Sequence, residues 1–320
     1  MALLGIDLGG TKLELALFSE NGDIQYKESV ALGDRKGHEV GKCITDQIRK
    51  FIQYSESNGD SIISIGISVP GISYISAGTV WAPNIPGWED YPLLNEVKAV
   101  CGDVPVTIDS DRACYILGEL WKGNARGCHD AIFLSVGTGI GAGIVINGKI
   151  LRGSHDIAGC IGWMALRDPF EKKYIECGCF EHYASGEGIA KVAREFLEEQ
   201  KDYVGELRNK DIDRVTSYDV FAAYINDDPL AASVIRLCVQ FWGMAVANLV
   251  SLFNPEKIIM GGGVFGPAIP LIPAIKEEAA KWAQPIGITQ VTLDVSALAG
   301  DAGVYGAGFL ALKNIREFGI

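Results

Sequence analysis

The feature that most constrains this chain is a unit that it uses twice. Residues 3–8 form an apolar run, Gly9-Gly10 turn the chain, and residues 12–18 lead it away with partial alternation, so the stretch reads as strand, turn, strand. The pattern returns about 128 residues later, counted from Gly9 to Gly137. There, residues 131–136 run into Gly137-Thr138-Gly139-Ile140-Gly141, a strand follows over 142–146, and Asn147-Gly148 turns it back. A repeat at that distance is too long for a solenoid and predicts two similar lobes.

The residues around the first turn narrow its chemistry. Asp7 ends the first strand, and Thr11 and Lys12 follow the glycines. One reading is a plain hairpin in which Gly9 and Gly10 both take positive φ. The other is a phosphate site. Bare backbone N–H groups, a hydroxyl and an ammonium suit a phosphate, and a nearby carboxylate suits the Mg²⁺ that accompanies a nucleotide. Gly137-Thr138-Gly139 and Gly261-Gly262-Gly263 end two further strands. No G-x-x-x-x-G-K-[ST] occurs, so this is not a P-loop protein. The Gly137 turn leads into a strand and lacks G-x-G-x-x-G spacing, which argues against a dinucleotide fold. Two such hairpins facing each other across a cleft suit a polyphosphate.

Composition removes several classes of function. At 320 residues, two domains are expected. A net charge of −12 argues against a nucleic-acid backbone as partner. The long apolar stretch 237–253 contains Gln240, Asn248 and Ser251, so it reads as a buried helix and not a membrane span. Met1-Ala2 leave no room for a signal peptide before the first strand. Eight cysteines without one suggest reduced thiols in the cytoplasm. Cys43, Cys101, Cys114, Cys128 and Cys238 are scattered and read as small core residues.

Helical spacing predicts helices over 38–54, 91–100, 112–121 and 185–200, and a long one from Pro229 to just before Asn254-Pro255. Thr216 and Asp219 are spaced for a capping box opening a helix to Ile225. Strands are expected over 23–32, 62–69, 104–108, 257–260 and 291–296. Residues 79–88 read as a loop stiffened by Pro83 and Pro86, residues 166–180 as irregular, and Gly300-Asp301-Ala302-Gly303 opens the last helix.

Two further constellations are candidates for chemistry. Asp109-Ser110-Asp111 joins a strand to a helix, and Asp111 is either an N-cap or a carboxylate at a strand's C-terminal end able to take a proton from a hydroxyl. His155, Cys160, Cys177, Cys179 and His182 are metal-ligand types, but Cys177-Gly178-Cys179 has one intervening residue where zinc sites usually have two or more.

Taken in order, these motifs resemble the ROK family of sugar kinases and sugar-responsive repressors, which shares the actin-like ATPase (ribonuclease H-like) fold with hexokinase. Ile6-Asp7-Leu8-Gly9-Gly10-Thr11-Lys12 is similar to the family's first phosphate motif, and Gly137 to Gly143 to its second. Ala82-Pro83-Asn84-Ile85-Pro86-Gly87-Trp88 resembles its sugar-loop signature, Asp109-Ser110-Asp111 its catalytic segment, and Gly178-Cys179-Phe180-Glu181 the segment bearing a sugar-contacting Glu. Gly261-Gly262-Gly263 matches the adenosine-side turn. Departures cluster on the acceptor side. The family's Glu-x-Gly-His is here Cys160-Ile161-Gly162-Trp163, the Asn before the catalytic Asp is Ser110, and the cysteine cluster is shortened.

The resemblance implies duplicated α/β lobes around a central cleft: 1–120, completed by a C-terminal helix at about 305–320, and 121–304. It implies a glucokinase-like, ATP- and Mg²⁺-dependent enzyme, a cytoplasmic homodimer phosphorylating a hydroxyl of a hexose or N-acetylhexosamine. Asp111 would be the general base. Asp7 would hold Mg²⁺ through water, and Gly9, Gly10, Thr11, Lys12, Gly137, Thr138, Gly139, Gly262 and Gly263 would serve the nucleotide. Asn84, Ser110, Asp111, Glu181 and Trp163 would face the sugar. The cleft would be lined by Asp7, Asn84, Asp111, Gly137 and Glu181. Trp163 either offers an apolar face to the sugar ring or fills core. With tryptophan at the usual histidine, no structural zinc of the family's kind is expected. Two alternatives remain: a catalytically silent sugar or nucleotide sensor, and a regulator lacking its DNA-binding domain. The family's repressors carry a helix-turn-helix before the first phosphate strand, which here begins at Leu3. No nucleic-acid or membrane partner is expected.

Overall fold

A computed structural model describes residues 1–318, with side chains through Ile315. The end of the helix expected over 305–320 therefore lies outside the described residues. The chain opens with β1 (Ala2–Leu8), β2 (Lys12–Phe18), β3 (Ile24–Ala31), α1 (His38–Ser57), β4 (Ile62–Val69), β5 (Ile72–Tyr74) and β6 (Thr79–Trp81). Next come α2 (Leu93–Cys101), β7 (Val106–Ser110), α3 (Asp111–Lys122), β8 (Ala131–Val136), β9 (Ile140–Ile146) and β10 (Lys149–Ile150). The helices α4 (Cys179–Ala184), α5 (Gly186–Glu199), α6 (Ser217–Ile225) and α7 (Pro229–Phe253) precede β11 (Lys257–Gly261). Last are α8 (Ile272–Ala280), α9 (Pro285–Gln290), β12 (Thr292–Val295) and α10 (Ala302–Phe318).

These elements form two compact units. The first holds Met1–Gly127, Ile150–Ala158 and the chain from Ser296 onward; the second holds Cys128–Lys149 and Gly159–Val295. Each builds a five-stranded sheet, in the orders β3-β2-β1-β4-β7 and β10-β9-β8-β11-β12. In both, a glycine turn makes the first two strands antiparallel, and the first strand then pairs in parallel with a strand reached through helices. The repeat seen in the sequence is thus a repeat of topology.

The two kinds of turn differ in mechanism. Asn147 and Gly148 have φ of 52° and 73°, as a two-residue hairpin loop requires. Gly9 and Gly10, by contrast, do not take the expected positive φ. The β1–β2 ladder closes at Leu8 opposite Leu13, so the connection is longer than two residues, pinned by the Gly9 N–H donating to the Lys12 carbonyl at 2.9 Å. A loop of that length is satisfied by right-handed turn geometry. The capping box is present as expected: the Thr216 and Asp219 side chains each accept from the other's backbone N–H. Residues 79–88 are not all loop, because β5 and β6 form a short antiparallel pair. Three-residue strands carry too little periodicity to be read from sequence.

Helix α7 is long and apolar enough by composition to cross a membrane, but it is mostly buried in the second unit's core, where Cys238, Trp242, Val246 and Leu249 are among its fully covered residues. In the first unit, α1 and α2 cover one face of the sheet through Val40, Ile44, Ile48, Phe51 and Val97. Helix α10 lies on β1, β4 and α3, and small residues permit this. A Cβ on Gly66 of β4 would lie 2.0 Å from the Ala307 carbonyl oxygen, and one on Gly306 would lie 1.8 Å from the Cys114 carbonyl oxygen. The buried Glu119 of α3 ties down the chain entering α10, its carboxylate accepting from Ser296 Oγ at 2.6 Å and the Asn124 N–H at 2.8 Å.

Because both neighbours at this seam are backbone, it cannot relax by rotating a side chain. Gly306→Ala is expected to destabilise by roughly 3 kcal/mol, read as a lower urea midpoint. Gly300→Ala, where an added Cβ meets nothing within 4 Å, is expected to stay within about 1 kcal/mol of the parent. Equal midpoints for the two variants would contradict the close-packing account.

Candidate active site

In the first unit the site is built on the C-terminal ends of three parallel strands. Asp7 of β1 lies opposite Ser68 of β4, which lies opposite Asp109 of β7. Ser68 Oγ donates to Asp7 Oδ1 at 2.6 Å. Asp7 and Asp111 are partly exposed as residues, yet protein atoms crowd both carboxyl groups. Burial pushes Asp7 up from 3.8 to about 7; the Ser68 hydrogen bond opposes the rise, and the charges of Asp111 and Glu14 add to it. Burial also raises Asp111, against the Arg112 charge and the Arg112 N–H.

The structure corrects the capping alternative. Ser110, with extended φ and ψ of −64° and 150°, is the N-cap of α3, and its side chain accepts from the Ala113 N–H at 3.4 Å. Asp111 is the first helical residue, its Oδ1 accepting the adjacent Arg112 N–H at 2.7 Å. The turn after β1 adds its own residues. Gly10 is bare toward Asn84, whose Cβ would lie 3.9 Å from an added one. Asn84 is exposed on a braced loop: Trp88 Nε1 donates to the Gly37 carbonyl at 2.9 Å, and its ring stacks on Tyr91. Thr11 is exposed, and the Lys12 ammonium lies 3.0 Å from Glu14.

In the second unit a cavity of about 400 Å³ opens beside the other glycine turns. Gly137, Thr138 and Gly263 line it, bringing together three expected residues from two separate turns. Gly262 brings those turns into contact. Its φ is 89°, and a Cβ there would lie 2.4 Å from the Val136 carbonyl oxygen. The start of α5 is fastened to the same place, since the Gly186 N–H donates to the Gly137 carbonyl at 2.7 Å. The cavity also takes in Arg194, Tyr218 and Phe221, which sequence reasoning missed. Arg194 donates from Nη2 to the Val215 carbonyl at 2.8 Å, fixing the approach to α6, where Tyr218 presents a largely exposed ring. Glycine turns and the Thr138 hydroxyl at one end and an aromatic face at the other suit a phosphorylated nucleoside.

Glu181 is tied to the same hairpin. Its Oε2 accepts from the Ile140 N–H at 2.6 Å, and its carboxylate occupies the space left by the bare Gly139 and Gly162. Burial raises its pKa, against the Ile140 bond and the Lys191 charge. Trp163 is 57% exposed, so it is not core filler. It sits over Gly178, where an added Cβ would lie 2.5 Å from its Cα.

Mg²⁺ typically uses one or two carboxylates, with waters and phosphates completing its shell. The desolvated Asp7, with Asp111 adding to its negative surroundings, fits that kind of donor set. Among the described residues no group of three or more His, Cys, Asp or Glu is placed to hold a metal ion. Of the metal-ligand candidates, Cys179 is buried in the second core and His182 is buried with Nε2 3.6 Å from Glu195. All eight cysteines are thiols.

Comparison with known proteins bears on the family and the fold. The sequence pattern of the ROK family matches residues 3–314. The chain is 34% identical to the glucokinase of Halalkalibacterium halodurans, over 96% of this chain and 94% of that protein. It is 31% identical to the xylose repressor of Caldicellulosiruptor bescii, over 81% of this chain but 65% of the repressor. A ROK family glucokinase from Streptomyces griseus, solved in complex with glucose and AMPPNP, superposes with a TM-score of 0.73 at 26% identity, covering 98% of this chain and 100% of that one. The duplicated sheets are those of the actin-like ATPase fold.

The raised pKa of Asp7 makes a signed prediction. Between about pH 4 and pH 7 the folded chain holds a proton at Asp7 that the unfolded chain has released, so this group's contribution to stability falls as pH rises through that window and is flat above it. Asp7→Asn removes that cost and keeps an acceptor for Ser68. It is expected to stabilise more at pH 8 than at pH 5.5, the difference approaching about 2 kcal/mol. Urea unfolding at the two pH values measures it; equal effects at both would contradict a desolvated carboxylate.

Proposed function

The chain belongs to the ROK family, and on that premise we propose that it is an ATP-dependent kinase for a hydroxyl of a hexose or N-acetylhexosamine. The observation that carries the reading is Asp111. It is a carboxyl group crowded by protein, at the end of β7 and the first turn of α3, with its pKa raised by burial toward the range of a working base. The glucokinase relatives supply the substrate class, and the cavity at Gly137, Thr138 and Gly263 suits the nucleotide.

Phosphoryl transfer asks a protein for positioning and charge neutralisation more than for covalent chemistry. In this reading the turns at Gly9-Gly10 and Gly137–Gly139, with the Thr11 and Thr138 hydroxyls, serve the phosphates; the Gly9 and Gly137 N–H groups are spent within their own turns. Lys12 adds positive charge beside the first turn, shared with Glu14. Gly262 and Gly263 form the nucleoside side. Asp7 would hold Mg²⁺ through water, and the ion would supply neutralisation of phosphate charge. Asn84, Ser110, Glu181 and the exposed face of Trp163 orient the sugar, and Asp111 takes the proton from its hydroxyl. The protein acts as a cytoplasmic homodimer on small molecules; its charge of −12 is poorly suited to nucleic acid.

A second reading, a sensor that binds without turnover, is motivated by Cys160 and Trp163 standing where the family's sugar-contacting Glu and His are usual. One variant bears on both. Ser110, not Asp111, caps α3, so Asp111→Asn is expected to unfold near the parent's midpoint. Turnover of the best acceptor sugar should fall by about 10²–10⁴-fold, as general-base removal does. Nucleotide affinity, titrated separately, should change little, because its donors lie elsewhere. Retention of more than about a tenth of the parent's turnover would show that another residue is the base.

A further inference from the structure

The segment Ile150–Ala158 belongs to the first unit although the residues on either side of it belong to the second. Ile150 packs against Cys114, Leu117 and Leu310. Asp156 Oδ2 accepts from the Ile75 N–H at 3.2 Å, and the Ala158 N–H donates to the Arg152 carbonyl at 3.0 Å, closing the segment on itself. From this braced loop Arg152 reaches Asp109. Its Nη1 donates to Oδ1 and its Nη2 lies against Oδ2, both at 2.6 Å. The Nη1–Oδ1 hydrogen bond is charge-assisted and directed, while the second contact, at Oδ2, is an ion pair without hydrogen-bond geometry.

Asp109 is 2% exposed and lies in the strand-end row with Ser68 and Asp7. Its Oδ1 also accepts the Ser110 N–H at 2.8 Å. One buried carboxylate therefore joins the guanidinium of Arg152 to the backbone of the residue that precedes Asp111. An apolar pair of the same volume would pack the strand end at no electrostatic cost. What it would not supply is a fixed direction for the Ser110 N–H. The pairing also offsets a negative charge beside Asp7 and Asp111.

We propose that Arg152 is a positioning residue for phosphoryl transfer: through Asp109 it fixes the turn between β7 and α3, and so the direction in which the Asp111 carboxyl group leaves the helix. This rests on the reading of Asp111 as the base.

Arg152→Ala alone would strand a buried carboxylate and could unfold the protein. The test is therefore the double variant Arg152→Ala/Asp109→Asn, which leaves no unpaired charge and keeps an acceptor for Ser110, together with Arg152→Lys, which keeps the charge but loses the planar guanidinium and its directed Nη1 bond. With urea midpoints measured alongside, kcat for the best sugar should fall roughly tenfold to a hundredfold in the double variant, with nucleotide affinity and sugar KM nearly unchanged. Arg152→Lys should lie between it and the parent. Amide hydrogen exchange should accelerate at Ser110 and Ala113 in the double variant and not in the second unit. Unchanged exchange at that turn, or accelerated exchange with parental kcat, overturns the proposal. If the parent phosphorylates no sugar, the kinase reading fails, and the exchange result alone then decides whether the clamp exists.

Discussion

Everything in the first unit is arranged around carboxyl groups held out of water at the ends of parallel strands. Asp7, Ser68 and Asp109 stand in one row, and Asp111 follows within one turn. Such groups are costly to bury, and Asp7 and Asp109 each have a specific answer. Ser68 donates to Asp7, Arg152 donates to and ion-pairs with Asp109, and the first turn of α10 comes so close that a Cβ on Gly303 would lie 2.2 Å from Asp7 Oδ2. A helix N-terminus is a favourable neighbour for an anion. The glycine seam along α10 is what lets that helix end reach the strand ends. Packing and chemistry are here the same constraint.

The second unit repeats the sheet but changes the chemistry. Its strand ends carry glycine turns without the row of carboxylates that accompanies the Gly9-Gly10 turn in the first unit. Gly262 presses on the backbone of Val136, α5 begins on the Gly137 carbonyl, and the cavity forms where they meet.

Much of this was legible in the residues. The repeat, the three glycine turns, the Asn147-Gly148 hairpin and the Thr216–Asp219 box are local patterns, and local patterns survive folding. What was illegible depends on partners distant in the chain. Nothing in the sequence marks Ser68 as the donor to Asp7, Arg152 as the partner of Asp109, or Tyr218 as a wall of the cavity. The cap of α3 could not be assigned because Ser110 and Asp111 are both good caps and adjacent; only backbone angles separate them. Positive φ at Gly9 and Gly10 was inferred from residue type, but the length of the loop, set by where Leu8 and Leu13 pair, removed the need for it. Trp163 was open between core and surface until its exposure was known.

The central claim is that this chain transfers a phosphoryl group to a sugar. The most direct measurement is ADP release from ATP and Mg²⁺ by the purified protein, over a panel of hexoses, N-acetylhexosamines and polyols. The account predicts acceptor-dependent ADP formation with at least one hexose or N-acetylhexosamine, abolished when magnesium is withheld. ATP binding without acceptor-dependent ADP formation across the whole panel would contradict it and establish a sensor instead.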